Sequence, residues 1–135
     1  MSRGLQLNDA KTKLIWFGIR TSFRRLSSAD RTLTIDSVDV QQNDVVLDLG
    51  VLLDCELTLK QHINRITTTC FYCLRRLRQI KRYVDVAVMK QLISAFIFSG
   101  LDYCNVILSC LPLSTIALLQ RVQWNCRDVT MCVLL

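Results

Sequence analysis

Six basic side chains crowd into residues 65–82: Arg65, then Arg75, Arg76, Arg78, Lys81 and Arg82. Side chains of this type bind phosphates, and phosphate contacts position a nucleic acid without reading its sequence. The plainer role for the same run is a solvated helix face, since Arg and Lys are good helix formers. Cys70 and Cys73 stand three apart, on the same side of a helix, which is half of a metal site. A structural zinc needs four ligands. His62 is the single histidine, and Cys104, Cys110, Cys126 and Cys132 form no second pair at this spacing. Cys70 also falls on an apolar stripe, and buried free thiols are common. We therefore expect neither metal nor cofactor. Asp48 and Asp54 are six positions apart around a β-rich run, on one face if that run is a single strand. Paired carboxylates can clamp two divalent ions, but an Asp54 that ends a strand and an Asp48 that faces solvent would hold none. His62, near a helix start, reads as a surface or packing residue rather than a base. Gly-rich phosphate loops, nucleophile elbows and the His-Glu-x-x-His pattern do not occur. No catalytic residue is assigned.

The elements that would position these groups fall into two halves. Lys13 to Gly18 is a short run of β-formers closed by glycine and reads as a strand. Ile19 to Arg31 is polar and basic, with a loop over residues 27–30. Thr32 to Ile35 and Val38 to Gln41 alternate apolar and polar around Asp36 and Ser37, the pattern of a hairpin. Val45 to Leu53 is a third β-rich run, in which Gly50 suggests a bulge or a close backbone approach. After Asp54 the period changes from two to about 3.6. Thr58 and Gln61 match a capping box. Ile63, Ile66, Cys70, Leu74, Leu77 and Ile80 then mark an amphipathic helix ending near Tyr83. Asp85 can cap a second helix to about Ser99, and a third helical piece covers about Asp102 to Cys110. Pro112 and Ser114 open a fourth helix, with Ile116, Leu119, Val122 and Gln123 on one side. The fold class is α+β: a small N-terminal antiparallel sheet or hairpins, then a helical bundle.

Composition narrows the function. The 135 residues are 51% hydrophobic and 21% charged, which is globular rather than disordered. A net charge of +6 favours a polyanionic partner, nucleic acid or an acidic membrane surface. Seven cysteines is an odd number, and Met1 to Ala10 holds no apolar run of a secretory signal. Reduced thiols in the cytoplasm or nucleus are the expectation. Leu92 to Leu113 carries one charge, Asp102, near its middle. A charge at bilayer centre costs about 3 kcal/mol, and Gly100 and Pro112 would interrupt the span, so two buried helices with a break are expected there rather than a membrane anchor.

Three blocks in fixed order carry a family resemblance. They are Leu5-Gln6-Leu7-Asn8 running into Lys11 to Gly18, then Asp48-Leu49-Gly50-Val51-Leu52-Leu53-Asp54, then Ser99-Gly100-Leu101-Asp102-Tyr103-Cys104-Asn105. Together they resemble the reverse transcriptase of LINE-type, Jockey-like non-LTR retrotransposons, in the part downstream of the catalytic aspartates. The resemblance implies that residues 1–54 are the palm's end and the primer-grip hairpin (Val45 to Asp54). It implies that residues 55–124 are a thumb-like bundle, carried by His62-Ile63-Asn64-Arg65-Ile66, Leu101 to Asn105 and Leu119-Gln120-Arg121-Val122-Gln123. Lys11 or Lys13 would correspond to a palm lysine that protonates pyrophosphate. The chain departs from the family at Lys13, where Glu is common, at Trp124, where Asn is expected, and over the divergent tail 125–135. On this resemblance the fingers, nucleotide pocket and aspartate pair would lie upstream of Met1. The expectation is then a non-catalytic remnant of a reverse transcriptase, with weak, non-specific binding of RNA or DNA through Arg65, Arg75, Arg76, Arg78, Lys81 and Arg82, and a tendency to self-associate. The alternative is a small membrane-associated or protein-interaction module built on residues 92–113.

Overall fold

The structure is a computed structural model and describes residues 8, 11–27, 29–35, 37–103, 108–109 and 111–131. The chain divides into two compact units, Met1–Leu59 and Lys60–Leu135. The architecture is α+β, with two antiparallel hairpins followed by helices.

In the first unit, strands β1 (Thr32–Ile35) and β2 (Val38–Gln41) pair antiparallel, with Thr32 opposite Gln41 and Ile35 opposite Val38. Period-two patterning fixes this register. On one face the Thr34 hydroxyl donates to its cross-strand partner Asp39 at 2.6 Å. At the turn Ser37 takes a positive φ of 68°, and Asp36 lies outside the described residues. The second hairpin joins β3 (Val45–Asp48) to β4 (Val51–Asp54), with Val45 opposite Asp54 and Asp48 opposite Val51. Its two turn residues, Leu49 and Gly50, have φ of 44° and 85°. Two left-handed residues in succession give the turn whose twist matches the flanking strands. Gly50 is thus the turn's second residue and not a bulge in a continuous strand.

The expected strand over Lys13 to Gly18 does not form. One isolated parallel bridge joins Leu14 to Gln42, with the Asn43 N–H donating to the Leu14 carbonyl at 2.8 Å. Trp16 and Phe17 are 40% and 52% exposed. β-propensity needs a paired edge to become a strand, and this run has one bridge at Leu14 and one further backbone bond, from the Gly18 N–H to the Cys55 carbonyl at 3.0 Å. The segment 19–31 holds a short helix α1 (Arg20–Phe23) and a single 3₁₀ turn (Ala29–Arg31). Ser27 and Asp30 close the loop reciprocally: the Ser27 hydroxyl donates to the Asp30 carboxylate at 2.7 Å, and the Asp30 N–H donates to the Ser27 hydroxyl at 3.4 Å.

The capping box expected at Thr58 is replaced by a different device. The Asp54 carboxylate accepts from the Thr58 N–H at 3.1 Å, the Thr58 hydroxyl at 2.7 Å and the Leu59 N–H at 2.8 Å. The first helical residue is Lys60, and Leu59 before it has a positive φ of 54°, so Thr58 stands outside the N-cap position that a capping box requires.

The second unit is a helical bundle of α2 (Lys60–Ile80), α3 (Val86–Ile93), a π-helical segment (Ser94–Phe98), α4 (Ser99–Asp102) and α5 (Leu113–Met131). Asp85 caps α3 as expected, its side chain accepting from the Ala87 N–H at 3.4 Å. The expected third helix over 102–110 falls largely on residues outside those described. Helix α5 runs beside α2 in the same direction. Ser114, Thr115 and Leu118 share a cleft with Lys60, Ile63 and Asn64 near the start of both helices. Farther along, Arg78 donates to the Asn125 Oδ1 at 3.0 Å. The α3–α4 run returns between them in the opposite sense, with Ile93 near Cys126 and Leu101 near Leu119.

The core is Ile63, Cys70, Leu74 and Leu77 of α2, Met89, Ile93, Ile97 and Leu101 of the middle run, and Leu119, Val122, Cys126 and Val129 of α5. In the middle run the core residues recur every four positions. In an α-helix that spacing drifts about 40° per step, or about 120° over three steps. A π turn carries one extra residue and sets the helix back by about 100°. The π segment thus keeps Met89, Ile93, Ile97 and Leu101 on one face, and the Ser99 hydroxyl donates to the Ala95 carbonyl within it. On α5 the buried set is Thr115, Leu119, Val122, Cys126 and Val129, while Gln123, expected on that side, is exposed. Helix α5 continues through Asn125 to Met131 without a break.

Candidate nucleic-acid interface

Helix α2 positions the basic residues. Its buried stripe of Ile63, Thr67, Cys70, Leu74 and Leu77 occupies roughly a quarter of the circumference at about 100° per residue, with His62 buried to one side of it at the helix start. Arg65 and Arg76 fall opposite that stripe, within about 20° of each other. Arg75 lies about a quarter turn to one side. All three are exposed. Arg78 flanks the stripe and ties α2 to α5 through Asn125. Lys81 and Arg82 lie past the helix end, with Lys81 half-buried. The structure therefore sets Arg65 and Arg76 on one outer line, with Arg75 a quarter turn away, and Arg78, also exposed, hydrogen-bonded to Asn125.

The electrostatics are one-sided. From Lys60 to Ile80 the helix carries Lys60, Arg65, Arg75, Arg76 and Arg78 and no carboxylate. In the other unit Arg20 pairs with Glu56 at 3.2 Å. Residues 60–135 hold ten Lys and Arg against three Asp, whereas residues 1–59 hold seven against eight acidic groups. The helical unit carries all of the chain's excess positive charge. That partition was present in the sequence and is visible once the boundary at Lys60 is known.

The other candidate chemistry disperses. Asp48 pairs with Val51 beside the turn and Asp54 pairs with Val45 at the hairpin's open end. Three register steps separate them, about 10 Å along the strands. The single-strand reading that put them on one face is corrected, and no carboxylate pair forms there. Burial works to raise the Asp54 pKa, but the hydrogen bonds from Thr58 and Leu59 outweigh it and hold the carboxyl below its ordinary value. Lys11 and Lys13 are exposed. His62 is buried, and desolvation followed by the nearby Arg65 charge lowers its pKa, which fits packing. Among the described residues no group of three His, Cys, Asp or Glu could hold a metal ion. Cys104, Cys110 and Cys132 lie outside those residues. No helix among the described residues is long and apolar enough to cross a membrane.

Cys70 and Cys126 are buried core thiols, and desolvation pushes each up to about 11. The unfolded thiols titrate nearer 9, so on raising pH the unfolded chain loses its protons first. Stability from these thiols is complete below about pH 9 and is lost between about pH 9 and 11, on the order of 2–3 kcal/mol per thiol. Melting curves of wild type and of a Cys70→Ala, Cys126→Ala variant should diverge over that window, with the wild type falling faster. Parallel curves would show that the thiols are not desolvated.

Comparison with protein-family models, with curated proteins and with solved structures returned no match.

Proposed function

We propose that these 135 residues form a non-catalytic, reverse-transcriptase-like palm end and thumb that binds RNA or DNA weakly and without sequence preference. The observation that carries the binding reading is α2, a helix with five basic residues, no acidic one, and an exposed outer face at Arg65, Arg75 and Arg76. Arginine forks match phosphate oxygens and are weakly hydrated. Neutralising phosphates releases counterions, which drives non-specific binding. Three features support the family reading: the quoted residue blocks, the hairpin at Val45–Asp54, and the helical unit that follows it.

Polymerase chemistry needs two carboxylates on two metal ions. Asp48 and Asp54, the nearest substitutes, stand at opposite ends of a hairpin. The proposal therefore expects binding without synthesis. Anisotropy with labelled single-stranded RNA at low salt should show saturable binding that unrelated single-stranded DNA and RNA compete equally. Primer extension by the same chain with Mg²⁺ or Mn²⁺ should give no incorporation above a heat-killed control. Binding that survives unrelated competitor, or extension that survives repurification, contradicts the proposal.

The first unit favours self-association. Leu33, Leu47, Leu49 and Leu57 are 45%, 48%, 84% and 49% exposed beside four-residue strands in two-stranded sheets. Uncovered strand edges with apolar neighbours recruit further strands.

A further inference from the structure

The outer face of α2 carries an aromatic ring as well as charge. Tyr72 is 60% exposed, and the Arg76 guanidinium carbon lies over its ring, 5.9 Å from the centroid. At about 100° per residue, Arg65, Tyr72 and Arg76 fall within about 40° of one another. Arg65 to Arg76 covers about 16 Å of helix, about five nucleotides of a stacked strand. The Thr68 and Thr69 hydroxyls donate back to the Asn64 and Arg65 carbonyls at 2.8 and 3.0 Å. The ring and the guanidinium groups are then the side chains that reach outward along this line.

We infer that Tyr72, backed by Arg76, is a base-stacking platform that gives the α2 face a preference for single-stranded nucleic acid over duplex. The inference rests on the reading that this face binds nucleic acid. In a duplex both faces of each base are covered by neighbouring pairs, and an aromatic ring outside the stack has no base to receive. In a single strand an unstacked base can lie on the ring. Arg76 on one side of Tyr72 holds the ring in place and sets positive charge beside the phosphate of the stacked nucleotide. The sign of the preference is diagnostic. Electrostatics alone favours duplex, whose charge density is higher and whose counterion release per phosphate is larger. Stacking alone reverses that order.

The test is fluorescence anisotropy of the full chain with labelled oligothymidylate and with a duplex of equal length, for wild type, Tyr72→Ala and Tyr72→Phe. The wild type should prefer the single strand. Tyr72→Ala should weaken single-strand binding about tenfold or more, leave duplex binding unchanged and keep the same salt slope. Tyr72→Phe, which retains a ring on the helix, should bind as wild type does. A wild-type preference for duplex, or an unchanged ratio in Tyr72→Ala, overturns the stacking platform and leaves the basic face standing. Wild type that binds neither probe overturns both.

Discussion

A Val122→Asp substitution is expected to abolish cooperative unfolding of the helical unit. Val122 is 0% exposed, at the centre of the α5 stripe against the α2 and α3 core. A carboxylate buried there loses its hydration, and the effective cost is several kcal/mol. A small unit has on the order of 5–15 kcal/mol in total, so the loss is of comparable size. Trp124→Asp, two residues on, provides the control. Trp124 is 67% exposed, and surface changes of that kind stay within about 0.5 kcal/mol. Thermal melts followed by far-UV dichroism should show a lost transition for the first variant and an unshifted one for the second. Equal melts would mean that α5 does not pack as described.

The second large effect concerns binding. Changing Arg65, Arg75 and Arg76 together to Gln should weaken single-strand binding on the order of 100-fold or more at low salt, since three contacts at about 0.7 each amount to about two decades of affinity per decade of salt. Gln keeps helix propensity, so the bundle should melt as before. Changing Arg78 alone should act differently. One of its N–H groups is held by the neutral Asn125 amide, so the expected change is a small loss of stability, about 1 kcal/mol, with a loss of affinity no larger than one phosphate contact. Matching losses of affinity in the two variants would show that the outer face is not special.

The parts of the fold that were legible in the sequence are those set by local chemistry. Alternation placed β1 and β2 to the residue, and Asp85 marked the start of α3 because its carboxylate accepts from the Ala87 N–H. The α2 stripe followed from its period. What was not legible depended on partners. Lys13 to Gly18 had strand composition and found one bridge. Asp54 ends its strand as read, but its carboxylate also accepts from the Thr58 hydroxyl, a contact no pattern in the sequence announced. The Leu49–Gly50 turn was hidden because a leucine at positive φ carries no signal of its own. The four-residue spacing from Met89 to Leu101 contained the π turn, but only a helix already known to continue through Gly100 lets that spacing be read. For the candidate site, the basic residues were plain in the sequence. Their sorting was not. The structure separates Arg65, Arg75 and Arg76 from Arg78 by the position of Asn125, forty-seven residues away.

The central claim is that affinity resides in uncompensated charge on α2, and the salt dependence of binding tests it most directly. Dissociation constants of the full chain for a labelled single strand, measured across a series of monovalent salt concentrations, give the number of phosphates neutralised. With at least three arginines on the outer face, the logarithm of affinity should fall against the logarithm of salt with a slope of about −2 or steeper, near −0.7 per contact. The Arg65, Arg75, Arg76 variant should flatten that slope by about the share of three contacts. A flat response in the wild type, or a slope that the variant leaves unchanged, would contradict the account.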